Sequence, residues 1–157
     1  RMINQNGQTI TEKDYENKVY VADFFFTTCP SICPIMTKNM FSLQEKLKNK
    51  YPEVKLLSYS VTPEIDTIEQ LKRYAIENKV DDKIWNLVTG DKKEIYTLAR
   101  KSYLVVQNDG NGGPHDMIHT ENFVLIDKEN RVRGYYDGTD INEMDRLIIE
   151  IGMLKND

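Results

Sequence analysis

A chain of 157 residues with 39% hydrophobic content and one tryptophan is the size of one domain and long enough to bury a real core. Its 21 Lys+Arg against 25 Asp+Glu give a formal net charge of −4, and no basic stripe is present to neutralise phosphates, which argues against a nucleic-acid partner. No apolar run approaches the roughly 20 residues of a membrane span, and the start at Arg1 rather than methionine is what is expected of a soluble fragment whose signal or anchor was removed.

Residues 19–26, VYVADFFF, are β-branched and aromatic and almost continuously apolar, the pattern of a buried central strand. Beyond Pro34, the spacing of Met36, Met40, Leu43 and Leu47 predicts a helix, with Lys46, Lys48 and Lys50 near its end, where cations suit the dipole. Residues 54–61, VKLLSYSV, read as a second strand. TPEID then turns into a helix opened by Thr67, with Gln70 three residues on as a capping box and Leu71, Tyr74 and Ala75 as the buried face.

IWNLVTG (84–90) predicts a short strand, and Ile95, Leu98, Ala99 and Tyr103 mark a further helix. Residues 107–115, QNDGNGGPH, are polar and glycine-rich and suit a long loop, the kind of segment that often carries function. Residues 121–138 predict two strands about a DKEN turn, and 139–154 a closing amphipathic helix bearing Leu147, Ile148, Ile151 and Leu154. There are no repeats, linkers or low-complexity segments. Alternating strands and helices imply an α/β sandwich, a central mixed sheet flanked by helices.

The two cysteines, Cys29 and Cys33, stand directly after the first central strand in TTCPSICP. That placement makes the predicted sandwich thioredoxin-like. Residues four apart are neighbours on a helix, so a Cys-x-x-x-Cys pair at a helix start can bridge or share a metal. The peptide dipoles there favour thiolate. Pro30 and Pro34 restrict the backbone around each thiol. As a structural staple the pair would be poor, because a disulfide over so few residues removes little unfolded-state entropy. Spacing alone leaves three readings open: inert buried thiols, a redox couple and a soft-metal site.

A metal needs further donors, and the chain has only two histidines, His115 and His119, in GGPHDMIHT. Two thiolates and one imidazole are too sulfur-rich for calcium or magnesium and one ligand short of a closed structural zinc site. Softness points to copper, since Cu(I) accepts three-coordination by thiolates while Cu(II) wants an added oxygen or nitrogen donor.

These segments resemble the Sco/SenC family of copper-binding, thioredoxin-like proteins that take part in cytochrome oxidase assembly. FFFTTCPSICPIMTKNM is similar to the family's Cys-Pro-x-x-Cys-Pro segment. SVTPEIDT (60–67) is similar to its Ser-Val-Asp-Pro-x-x-Asp-Thr segment, WNLVTG to its Trp-x-x-Leu-Thr-Gly segment, and DMIHTENFVLID to the strand led by its ligand histidine. The resemblance covers most of the chain and implies a single thioredoxin-like Sco/SenC domain over residues 1–157. It places the metal ligands on Cys29, Cys33 and His119, with His115 a loop residue first and an auxiliary donor second; Asp66 matches the family's second aspartate, as a turn or helix-entry residue rather than a ligand. Met117 is a conceivable soft donor beside them.

One departure stands out. Thr62 occupies the position where the family usually carries aspartate, so a carboxylate able to tune the thiols or complete a Cu(II) site is missing, and restoring it is expected to strengthen Cu(II) binding more than Cu(I) binding.

The resemblance implies a copper metallochaperone, not an enzyme, that holds Cu(I) or Cu(II) and passes it to the copper-receiving subunit of cytochrome c oxidase. The expected setting is extracytoplasmic, such as the periplasm, with membrane attachment through a segment outside the chain. The alternative it permits is a thiol–disulfide oxidoreductase with a redox-active disulfide, which reduces a copper-site partner and is itself served by a thiol reductant protein. Peroxide reduction ranks last, because no threonine or arginine arrangement marks such a site and it leaves His119 unexplained.

Overall fold

In the computed structural model the described residues are 2–28, 32–104 and 120–155. Seven strands form one mixed sheet in the order β2-β1-β5-β4-β3-β6-β7. The centre is β3 (Tyr20–Phe25), buried along its whole length, as its apolar run predicts. It pairs in parallel with β4 (Lys55–Ser60), which pairs in parallel with β5 (Trp85–Thr89). On the other side β3 is antiparallel to β6 (Asn122–Ile126), and β6 to β7 (Val132–Asp137) across the DKEN turn. The thioredoxin-like α/β expectation holds.

The sheet extends beyond the strands the sequence pattern marked. β1 (Met2–Asn4) adds antiparallel to β5, and β2 (Thr9–Ile10) to β1, followed by a 3₁₀ turn over Glu12–Tyr15. A capping box does form in the chain, but at Thr11 and Asp14 of that turn. At Thr67 only half of the expected box is present. Its hydroxyl accepts from Gln70 N at 3.2 Å, while the Gln70 amide reaches away to Thr27.

Three helices cover one face. α1 (Ile32–Lys50) turns Cys33, Met36, Met40, Leu43 and Leu47 inward at alternating intervals of three and four, the period of one helical stripe. Pro34 lies in its first turn, where a missing N–H leaves no hydrogen bond unmade. α2 (Ile68–Glu77) adds Leu71 and Ala75 to the same apolar layer, with Tyr74 only half-buried. α4 (Ile141–Lys155) adds Met144, Leu147, Ile151 and Leu154. Each such side chain contributes about 1.5–3 kcal/mol by leaving water.

The opposite face is covered by α3 (Lys92–Thr97) and the π-helical turn Leu98–Ser102 that continues it. Here the Tyr103 hydroxyl hydrogen-bonds those of Tyr20 at 3.0 Å and Tyr59 at 2.8 Å, and burial raises the pKa of all three phenols.

One charged type lies inside the helix-covered layer. Asp23 alternates with Val21 and Phe25 on β3, is 2% exposed, and accepts a short hydrogen bond from Ser58, which in turn accepts from Trp85 Nε1 at 3.0 Å. Burial pushes the Asp23 carboxyl up to about 7, partly opposed by the Ser58 bond. The folded chain therefore holds a proton that the unfolded chain releases near pH 4. Stability is fully present below that value, falls as pH rises toward 7, and flattens above it. We expect Asp23→Asn to abolish this decline and to gain on the wild type by up to about 4 kcal/mol between pH 4 and pH 8, three pKa units at 1.4 kcal/mol each. Urea unfolding at the two pH values checks it, and parallel profiles for the two proteins would contradict it.

Candidate metal and thiol site

The central strand delivers the chain to the site. β3 ends at Phe25, Thr27 is half-buried and Thr28 exposed, and α1 begins at Ile32. Cys33 therefore stands in the first turn of α1, as the sequence spacing predicts, and is 4% exposed. Cys29, His115, Met117 and His119 lie outside the described residues. Among the described residues no group of three or more His, Cys, Asp or Glu side chains is placed to hold a metal ion.

What the structure does describe is a polar network at the base of the cysteine segment, which sequence reading did not foresee. Asp66 is 0% exposed, and its carboxylate is an acceptor throughout. The Thr27 hydroxyl donates to Oδ1 at 2.5 Å, the Ser60 hydroxyl to Oδ2 at 2.7 Å and the Thr62 hydroxyl to Oδ2 at 3.1 Å. The Thr27 backbone N–H adds a longer bond at 3.4 Å to each oxygen. Asp66 gets there by a turn closed through its own N–H and that of Ile65, both donating to the Thr62 carbonyl at 2.9 Å. A helix-entry role for Asp66 is visible in the sequence SVTPEIDT; its partners across 39 residues of chain are not.

Thr62 is 6% exposed and faces this carboxylate. A carboxylate at position 62 would meet Asp66 before it met solvent, and two buried like charges raise each other's pKa. The expected benefit of an aspartate there for Cu(II) thus comes with a local electrostatic penalty.

A cavity lies elsewhere among the described residues. Its volume is about 1020 Å³, it lies against the α3-covered face with Met2, Tyr20, Leu57, Tyr59 and Ile126 among its lining residues, and no described residue of the cysteine segment lines it. Among the described residues no helix is long and apolar enough to cross a membrane.

Comparison with known proteins gives one consistent result. The SCO1/SenC family model matches residues 1–152. The SCO1 protein homolog of Bacillus subtilis is 34% identical over 149 residues, 94% of this chain and 77% of the relative. The mitochondrial SCO1 homolog 1 of Arabidopsis thaliana is 31% identical over 96% of this chain but only 45% of its own length, so the chain spans less than half of that relative.

Among solved structures, BsSco superposes with a TM-score of 0.81 at 32% identity, covering 96% of this chain and 88% of the other. It is a member of the Sco family of cytochrome c oxidase assembly proteins in which a disulfide switch has been identified. A SCO1/SenC family lipoprotein from Bacillus anthracis superposes at 0.76 with 34% identity, covering 94% and 91%. Arabidopsis thaliana ScoI with copper bound superposes at 0.75 with 28% identity, covering 97% and 95%.

The Thr62 geometry carries a direct test. We expect Thr62→Asp to be less stable than the wild type by on the order of 2 kcal/mol at pH 7.5. The raised carboxyl keeps its proton in the folded state and loses it in the unfolded one, so the deficit should shrink as pH falls toward 4. Thermal melts at pH 4.5 and 7.5 read this out; a deficit that is absent, or equal at both, would mean that position 62 does not share a buried environment with Asp66.

Proposed function

The chain belongs to the SCO1/SenC family, and on that premise we propose that it is a copper metallochaperone whose cargo is held by Cys29, Cys33 and His119 and passed to the copper-receiving subunit of cytochrome c oxidase. The observation that carries this reading is the family match over residues 1–152 in a chain with only two cysteines, one of them set in the first turn of α1 beside the central strand. The copper-bound Arabidopsis relative supports copper as the cargo. The lipoprotein from Bacillus anthracis supports an extracytoplasmic, membrane-attached setting.

The chemistry follows from the donor set. Each cysteine gives up its proton when it binds, so loading releases protons and weakens at low pH. Two thiolates and an imidazole satisfy Cu(I) in three-coordination and leave it open to attack by a partner's ligands, which suits transfer without turnover. The same two sulfurs can instead form a disulfide, which has no thiolate to donate, so oxidation and Cu(I) loading exclude each other. The disulfide switch of BsSco favours a second reading, in which the dithiol reduces the cysteines of a copper-site partner.

Anaerobic titration of the reduced protein with Cu(I) against a competing chelator separates these readings. The chaperone reading requires tight one-to-one binding; its absence would leave the reductase reading. Cys29→Ser and Cys33→Ser should each lower Cu(I) affinity by at least 100-fold, on the order of 3 kcal/mol, while the fold persists. His119→Ala should weaken copper binding yet leave disulfide formation intact, and His115→Ala should do little. Exchange of the two histidine phenotypes would overturn the ligand assignment.

A further inference from the structure

The segment that carries the cysteine pair is tied at both of its ends to the same helix. At its start, the Thr27 hydroxyl donates to Asp66, two residues before α2, and accepts from the side-chain amide of Gln70 inside α2 at 3.1 Å. At its end, Thr37 of α1 shares a hydrogen bond of 2.8 Å with the Tyr74 hydroxyl, one turn further along α2. The Tyr74 ring also packs on Phe25, the last residue of β3, with centroids 5.5 Å apart. Thr27 lies two residues before Cys29, and Thr37 four after Cys33.

Nothing in strand pairing or apolar packing demands these ties. β3 and β4 are already in register through Phe25 and Ser60, and the stripe from Cys33 to Leu47 already seats α1 on the sheet. The ties add a second fixing on either side of the cysteine segment.

We propose that Asp66 and α2 form a brace for the cysteine pair, in which Asp66, Gln70 and Tyr74 act as positioning residues that hold Thr27 and Thr37 at a fixed span. The inference rests on the family reading of Cys29 and Cys33 as a working pair. Its consequence is physical. Two thiols held at a set separation have a high effective concentration for each other, and this raises the stability of any species that joins them, whether a disulfide or a shared Cu(I). Releasing either end of the segment should lower both stabilities together.

The test uses variants that remove hydroxyls and keep shape. Thr27→Val deletes the hydroxyl's bonds to Asp66 and Gln70 and leaves the longer backbone N–H bonds to Asp66, Thr27→Ser retains them all, and Tyr74→Phe deletes the bond to Thr37 while keeping the ring on Phe25. Ser60→Ala is the control, because it removes a more deeply buried bond to the same Asp66 carboxylate from the β4 side without touching the cysteine segment. The dithiol–disulfide equilibrium is measured against glutathione, each bridge formed consuming one glutathione disulfide and releasing two glutathione thiols. Cu(I) affinity is measured in the reduced state, and melting temperature in parallel.

Thr27→Val and Tyr74→Phe should each lower both the equilibrium constant for bridging and the Cu(I) affinity by about fivefold or more. Thr27→Ser should stay within twofold of wild type, and Ser60→Ala should lower the melting temperature without moving either site readout. If Thr27→Val and Tyr74→Phe lower only the melting temperature, or if Ser60→Ala shifts the site as much as they do, the ties are general stabilisers and the brace is refuted. A wild type that binds no Cu(I) would sink the chaperone reading alone, since the glutathione equilibrium still tests the brace.

Discussion

Cys33 is the first member of the apolar stripe that holds α1 on the sheet, and that double duty constrains everything around it. The stripe runs Cys33, Met36, Met40, Leu43 and Leu47, all buried against residues of β3, β4 and β5. A thiol in such a position cannot be moved without moving the helix, because close-packed side chains transmit displacement. The place of Cys33 is therefore set by the core, together with the Thr37–Tyr74 bond one turn further along α1. The central strand plays the matching part, since six consecutive buried residues leave β3 no freedom to slide and fix where the chain emerges toward Thr27.

Elements whose formation depends on hydrophobic periodicity were legible in the sequence. The stripe of α1, the run of β3, the hairpin about DKEN and the face of α4 each bury a continuous set of side chains, and a burial pattern is written directly into residue order. β1 and β2 escaped because they are strands of three and two residues at one end of the sheet, too short to show a period and held by ladder hydrogen bonds to β5 and to each other. The half-formed box at Thr67 failed for a different reason. The Gln70 side chain could accept from the Thr67 N–H or turn away, and it turns away, its amide donating to Thr27 just beyond β3 and its oxygen accepting from Arg73; residue spacing carries no information about Thr27.

The same limit explains why the thiols were legible and the network beneath them was not. Cysteine is rare in the chain and chemically distinctive, so its placement after a strand stands out. Ser60, Thr62 and Thr27 are ordinary surface-type residues whose shared acceptor becomes visible only when β3 and β4 lie side by side. Buried polar groups are expensive unless paired, and here each hydroxyl finds its partner in one carboxylate.

That pairing also bears on which donors remain for a metal. A carboxylate offers about four lone-pair directions. Those of Asp66 receive the hydroxyls of Thr27, Ser60 and Thr62 and the N–H of Thr27, so binding a metal would require breaking at least one buried hydrogen bond. At position 62 a hydroxyl that donates to Asp66 stands where the family usually has a second carboxylate. Among the described residues, the oxygens of Asp66 and Thr62 at the base of the cysteine segment are thus engaged internally. The proposed ligand set of two thiolates and an imidazole is biased toward a soft, singly charged ion, and Cu(I) is the copper state that such a donor set prefers.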